Sequence, residues 1–121
     1  MAKAPDVRIR RIYEASSPDD GTRILVDRLW PRGVSKQAAH IDEWLKAVAP
    51  SADLRRWYGH EPDKFGEFKL RYADELADAD HAGAWQHLVE EAATGTVTLL
   101  TATKDVDRSE AAVLAEWLSA T

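Results

Sequence analysis

The residues best suited to chemistry lie in two short segments of the first half of the chain. Residues 27–33 (DRLWPRG) place a carboxylate, two arginines and a tryptophan side by side. Arginine binds phosphate and carboxylate groups through paired N–H donors, and a carboxylate can orient a ligand or accept a proton. Residues 54–60 (LRRWYGH) place arginine beside aromatic rings, which suits phosphate binding or stacking on a base, and end in an imidazole suited to proton transfer.

Each segment also has a purely structural interpretation. Asp27 follows an apolar run, where a buried charge needs a partner, so a salt bridge would explain it. Residues 54–60 also fit a short amphipathic helix that buries Leu54 and Trp57 and leaves Arg55 and Arg56 in water. Arg32 lies in a Pro-Gly turn, where functional residues are common, and is therefore the stronger candidate.

A third segment, 104–109 (KDVDRS), reads as a turn between a strand and a helix. The amides of a helix N-terminus favour an anion, but Asp105 and Asp107 already place negative charge there, unless Lys104 and Arg108 neutralise it. The four histidines include no pair spaced four residues apart, and the chain has no glycine-rich cofactor motif. The sequence therefore predicts neither a metal nor a cofactor.

The hydrophobic pattern predicts the elements that carry these segments. Strands are expected at 7–13, 23–30 and 97–103, where apolar and β-branched residues cluster. Apolar side chains at helical spacing predict helices over 35–49, 52–58, 62–79 and 85–94, and Asp107 and Glu110 resemble a capping box that opens a last helix. Trp44, Trp85 and Trp117 fall on apolar helix faces and are expected in the core, with Trp30 and Trp57 partly exposed.

This order of elements predicts an α/β fold in which helices pack on a small, mostly parallel sheet. The long helical connection between 23–30 and 97–103 joins strands that should be parallel and adjacent or nearly so. Ligands of such sheets bind beyond the carboxyl ends of the strands, so Arg28, Arg32 and His60 should meet in one cleft that Asp27 holds together.

Length and composition fit a single compact domain spanning 1–121. The chain has 121 residues, of which 45% are hydrophobic and 31% charged. It contains no cysteine, which excludes disulfides, thiolate metal sites and thiol nucleophiles. Residues 1–60 hold 11 Lys and Arg against 8 Asp and Glu, whereas the remaining residues hold 5 against 13. The net charge of −5 argues against general nucleic-acid binding, and no apolar run suggests a membrane span or leader, so we expect a cytoplasmic protein.

Several segments resemble the YeaO-like branch of domain of unknown function 488, a bacterial and archaeal family. The matching text is DDGTRILVDRLWPRGVSK (19–36), WLKAVAPS (44–51), LRRWYGH (54–60), FKLRYADEL (68–76) and VTLL (97–100). The resemblance implies a compact cytoplasmic α/β protein and no established biochemical activity. Its shared polar positions fall here on Asp27, Arg28, Trp30, Arg32, Lys36, Trp44, Lys46, Ser51, Arg55, Trp57 and His60.

One departure from that pattern concerns the last strand and helix. Relatives commonly carry a tyrosine in the strand and a His-Asn pair at the start of the helix, where this chain has Thr101, Arg108 and Ser109. If that pair acts in catalysis, this chain lacks the activity or performs it differently.

Three functions remain open from the sequence. The favoured one is a site for an anionic, phosphate or nucleotide-like ligand, in which Arg28, Arg32 and neighbouring groups bind the anion. Its binding residues are predicted to be Arg28, Trp30, Arg32, Lys36, Arg55 and Trp57, with Asp27 and His60 as candidate catalytic groups. The alternatives are a nucleic-acid-binding module and a non-catalytic protein-interaction domain.

Overall fold

The computed structural model describes residues 6–120, which form one four-stranded sheet with helices packed against it. The strands are β1 (Val7–Arg11), β2 (Thr22–Leu25), β3 (Glu43–Trp44) and β4 (Val97–Thr101). The helices are α1 (Lys36–Ala39), α2 (Ala52–Tyr58), α3 (Phe65–Leu76), α4 (Ala82–Thr94) and α5 (Glu110–Ser119). The α/β fold class expected from the sequence is confirmed.

The sheet has the strand order β1-β4-β2-β3, and every strand pairing among the described residues is parallel. Ile24 pairs with Leu99 and Leu25 with Leu100, which confirms that β2 and β4 are adjacent and parallel. Both strands are central, and β4 is buried along its whole length. Continuous apolar runs suit such strands because the sheet is covered on both faces.

Alternation along the central strands divides the core between the two faces of the sheet. Ile24, Val26, Val97 and Leu99 face a large cluster that includes side chains of α2, α3, α4 and α5. Leu25 and Leu100 face a smaller cluster, where Ile12, Ala39 and the rings of Trp30 and Trp44 cover the sheet. The layer that covers this second face of the sheet therefore consists mainly of connecting segments. Some of these segments also line the site described below.

The helix expected over 35–49 is wrong. Helix α1 ends after one turn at His40, which adopts a left-handed conformation with φ of 49°. The chain then runs along the sheet edge as β3, where the amide of Leu45 donates to the carbonyl of Leu25 at 2.9 Å. Pairing with β2 buries Trp44 against the smaller cluster, so tertiary contacts override a helical spacing of apolar residues.

Three further expectations need correction. Strand β2 ends at Leu25, so 27–30 lie beyond the strand and not within it. The side chain of Ser109, and not a box formed by Asp107 and Glu110, caps α5 by accepting a hydrogen bond from the amide of Ala112. All five tryptophans are half-buried, so the expected contrast between core and accessible rings is absent.

None of the helices in the described residues is long and apolar enough to cross a membrane.

Candidate functional site

A cleft of about 630 Å³ opens at the carboxyl ends of β2 and β4. This volume lies within the range of small-molecule sites. Most of its lining comes from three segments: the segment after β2, the end of α2 with the residues that follow it, and the turn between β4 and α5. Tyr13, Pro50 and Phe68 complete it. The charged and aromatic residues of the lining are Tyr13, Asp27, Arg28, Trp30, Arg32, Arg55, Tyr58, His60, Phe68, Lys104, Asp105, Arg108 and Glu110.

Hydrogen bonds hold the segment after β2 in place. The indole N–H of Trp30 donates to the carbonyl of Val34 at 2.6 Å, and the indole N–H of Trp44 donates to the carbonyl of Asp27 at 2.8 Å. The two rings meet edge to face with centroids 5.3 Å apart. Two tryptophans thus fix this segment by its backbone, which leaves the side chains of Arg28 and Arg32 exposed. The N–H of Trp30 is already used, so only its ring surface remains available to a ligand.

The opposite wall is built from α2 and the turn before α5. The hydroxyl of Tyr58 donates to the carbonyl of Arg108 at 2.8 Å, and its ring stacks on Phe68 with centroids 4.3 Å apart. Gly59 and His60 follow with φ values of 55° and 57°. A non-glycine residue in this left-handed region is uncommon, and here it reverses the chain so that His60 lies at the cleft.

Two carboxyl groups, Asp27 and Glu110, line the cleft together. Asp27 Oδ2 accepts a hydrogen bond from the amide of Ala102 at 2.8 Å, whereas its buried Oδ1 has no donor among the described groups. Burial, a hydrogen bond to Asp27 and the negative charge of Asp27 raise the pKa of Glu110 well above its ordinary value. Glu110 therefore keeps its proton to a higher pH than an exposed glutamate does.

The basic residues of the cleft outnumber the acidic ones, and most of them are not neutralised. Arg108 forms a salt bridge with Asp105 at 2.9 Å. The side chains of Arg28, Arg32, Arg55 and Lys104 make no hydrogen bond or salt bridge with any residue from 6 to 120. Five arginine and lysine side chains thus line the cleft beside three carboxyl groups, those of Asp27, Asp105 and Glu110.

Six of the eight residues predicted from the sequence line this cleft: Asp27, Arg28, Trp30, Arg32, Arg55 and His60. Lys36 and Trp57 do not. Lys36 begins α1, and the ring of Trp57 lies between Lys64 and Arg71, whose charged groups are 5.1 and 4.1 Å from its centroid. The salt bridge expected for Asp27 is absent among the described residues, because its neighbours are an amide and a second carboxyl group.

Sequence reasoning missed Glu110 and Tyr58 as parts of this cleft. In the sequence, Glu110 appears only as part of a helix cap. Tyr58 appears only as an aromatic residue next to Arg55 and Trp57. A signal for Glu110 was present, since the first residues of a helix that follows a central strand lie at the carboxyl edge of the sheet.

The comparison with protein families matches residues 6–121 to DUF488-N3i, described as the inactive DUF488-N3 subclade. The chain belongs to the DUF488 family. An uncharacterized protein of Mycobacterium tuberculosis, Rv3073c, is 46% identical to this DUF488 chain over 119 residues, covering 98% of each protein. The uncharacterized protein YeaO of Escherichia coli is 38% identical over 113 residues, covering 93% of this chain and 96% of YeaO. No solved structure matches this DUF488 protein.

Proposed function

We propose that this protein binds an anionic small molecule, of the phosphate or nucleotide class, in the cleft at the carboxyl edge of its sheet. The observation that carries the proposal is the group of unpaired cations, Arg28, Arg32, Arg55 and Lys104, around a cavity of about 630 Å³. Arginines are normally paired when they converge, because like charges repel one another. A bound anion would supply the missing counter-charge through charge-assisted hydrogen bonds.

The floor of the cleft favours a ligand that can accept a proton or a hydrogen bond. Burial and the neighbouring Asp27 raise the pKa of Glu110, so Glu110 keeps its proton to a higher pH than an exposed glutamate and can donate it to a phosphate oxygen. Tyr13 and Leu29 expose 50% and 65% of their surfaces beside the cleft, and offer an apolar contact for a base or another flat group.

Binding without turnover fits the description of the matched subclade as inactive. The chain also has no cysteine to act as a nucleophile. Asp27 and His60 remain the groups best placed for acid–base chemistry, because both line the cleft. The proposal includes a cytoplasmic location, which cell fractionation with antibody detection would test.

Nucleic-acid binding is less well supported than small-molecule binding. It would use Arg32, Lys36, Arg55, Arg56 and Trp57, but Lys36, Arg56 and Trp57 do not line the cleft with Arg32 and Arg55. A salt titration of single-stranded oligonucleotide binding separates the two functions, since contacts to several phosphates give a steep dependence on salt concentration.

The test is calorimetric titration of the full chain with pyrophosphate and with AMP. Arg55→Ala, Arg28→Ala and Arg32→Ala should each weaken binding about tenfold, the effect of losing one charge-assisted contact of roughly 1.4 kcal/mol. Arg56→Ala is the matched control, because Arg56 lies next to Arg55 on α2 but does not line the cleft. Equal losses for Arg55→Ala and Arg56→Ala, or no binding of either ligand, would contradict the proposal.

A further inference from the structure

A second group of ligating side chains lies away from the cleft, between the sheet edge and α4. Glu43 is on the edge strand β3, and His87 and Glu91 are one turn apart on α4. His87 Nε2 lies 2.7 Å from Glu43 Oε1 and 3.6 Å from Glu91 Oε1. One ligand atom from each side chain falls within 4.8 Å of the other two, and no other such group of three was found in residues 6–120.

The charges of this cluster are not balanced by the protein. Neither Glu43 nor Glu91 has a lysine or arginine within 4 Å in the described part of the chain, and each has His87 as its partner. Only the distance to Glu43 is short enough for a hydrogen bond, so Glu91 has no hydrogen bond from His87. All three side chains are half-buried, with 29% to 43% of their surface exposed, and an oxygen of each carboxylate lies within 4.8 Å of an oxygen of the other.

A divalent cation would balance the charge of the two carboxylates, which have no lysine or arginine nearby among the described residues. Two carboxylates and a neutral imidazole would also supply it with three ligands. Mixed nitrogen and oxygen ligands favour zinc and its neighbours in the first transition row, whereas magnesium and calcium prefer oxygen ligands alone. Zinc bonds of about 2.1 Å in a tetrahedral arrangement place ligand atoms about 3.4 Å apart, which the observed spacing approaches. The cluster is open to solvent, so water can complete the coordination.

We propose that Glu43, His87 and Glu91 bind one divalent transition-metal ion of the zinc type. The ion would tie α4 to β3, the two-residue strand at the edge of the sheet. This inference does not depend on the anion-binding cleft, because the two sites share no residue.

The experiment titrates the chelator-treated, untagged full chain with ZnCl₂ by calorimetry, and follows CoCl₂ binding by visible absorption. We expect one equivalent of Zn²⁺ to bind and to raise the melting temperature, because the ligand stabilises only the folded state. His87→Ala and Glu91→Gln should each weaken Zn²⁺ binding at least about tenfold. MgCl₂ should produce neither a binding signal nor a shift in melting temperature.

Two matched controls make this result specific. Glu90→Gln alters the neighbouring glutamate, which is exposed on the same helix, and His60→Ala removes a histidine in the cleft. Both should bind Zn²⁺ within twofold of the wild type. If His87→Ala does not fold, Glu91→Gln carries the test, because it keeps the size of the side chain. Wild-type affinity no greater than that of Glu91→Gln, or loss of binding in His60→Ala, would overturn the proposal.

Discussion

The two ends of β2 place charged residues in opposite circumstances. Before and within the strand, Asp20 and Arg23 are buried and form a salt bridge at 2.5 Å. Arg23 also donates to the carbonyls of His40 at 2.8 Å and Ala39 at 3.2 Å. Beyond the strand, Arg28 and Arg32 are exposed and have no side-chain partner in the described residues.

The difference separates charges that hold the fold together from charges that remain available for a ligand. Both ends carry an acid and an arginine close together in the sequence. Only the first pair is enclosed, so its hydrogen-bonding groups must be satisfied within the protein. An exposed arginine lowers the stability of the folded state little when it is unpaired, because water solvates its charge. Under the proposed function, these arginines would gain interaction free energy from an anion that enters the cleft.

The largest effect should come from Arg23→Met. It leaves Asp20 buried without its nearest partner, and breaking a buried pair typically costs about 3–5 kcal/mol of unfolding free energy. Arg28→Met is the matched control at the other end of the strand and should change stability by about 0.5 kcal/mol or less. Urea unfolding monitored by tryptophan fluorescence measures both. Similar losses for the two variants would remove the distinction between structural and available charges.

The second largest effect should be the loss of folding stability in Asp20→Asn, and it should depend on pH. The amide of Ser17, together with Arg23 and Arg10, lowers the pKa of Asp20 below its ordinary value, against the opposing effect of burial. The folded state therefore gains stability from the ionised carboxylate at neutral pH, and loses it as the pH falls through the lowered pKa. Asp20→Asn should cost about 3 kcal/mol at pH 7.

The loss caused by Asp20→Asn should shrink as the pH falls below about 4, because the carboxylate then takes up a proton in the unfolded chain, and at lower pH it does so in the folded protein too. Urea unfolding of the wild type and the variant between pH 3 and pH 7 measures this convergence. A difference in stability that stays constant over the whole range would show that the charge of Asp20 does not matter.

Much of the fold and part of the cleft were predictable from the sequence. The apolar runs at Ile24–Val26 and Val97–Leu100 identified the two central strands, because only strands buried on both faces need such runs. Because ligands of parallel sheets bind beyond the carboxyl ends of the strands, the position of β2 made Asp27, Arg28 and Arg32 candidate site residues. His60 and Arg55 joined them in the cleft, as the sequence suggested.

Other features depended on contacts between distant parts of the chain. Strand β3 has only two residues, and its pairing with β2 overrides a helical spacing of Ile41, Trp44 and Leu45. Asp27 and Glu110 are far apart in the sequence, and neither residue alone indicates that their carboxyl groups line the same cleft. The sequence predicted that Trp57 stacks on a ligand. In the structure its ring lies near Lys64 and Arg71, which belong to α3 and the turn before it, and no local pattern around Trp57 shows these contacts.

A smaller effect, opposite in sign to that at Asp20, is expected for Glu110→Gln. Burial and Asp27 raise the pKa of Glu110, so its ionisation above the unfolded-state pKa of about 4.5 costs the folded state stability as the pH rises. The amide introduced by this substitution cannot ionise and can still donate to Asp27. The variant should unfold with a free energy on the order of 1 kcal/mol higher than the wild type at pH 9, with the advantage vanishing below pH 4.

Glu90→Gln is the control for this comparison, because Glu90 is exposed on α4 and should show no such dependence on pH. Thermal unfolding by circular dichroism between pH 4 and pH 9 measures all three proteins. A variant that is less stable than the wild type at high pH would show that Glu110 is ionised and paired with a cation in the folded protein.

The most direct test of the account is to locate the bound anion by NMR. A ¹⁵N-labelled full chain would be titrated with pyrophosphate up to about 10 mM, which saturates even a millimolar site. We predict that the largest shifts occur at the amides of 102–109 and 28–33 and at the indole N–H of Trp30. Arg32→Ala should move the midpoint of these shifts to an about tenfold higher pyrophosphate concentration, and Arg56→Ala should leave it unchanged. Shifts centred on the surfaces around Arg8, Arg56 or Arg71, or no shifts at all, would contradict the claim that unpaired arginines beyond β2 form an anion site.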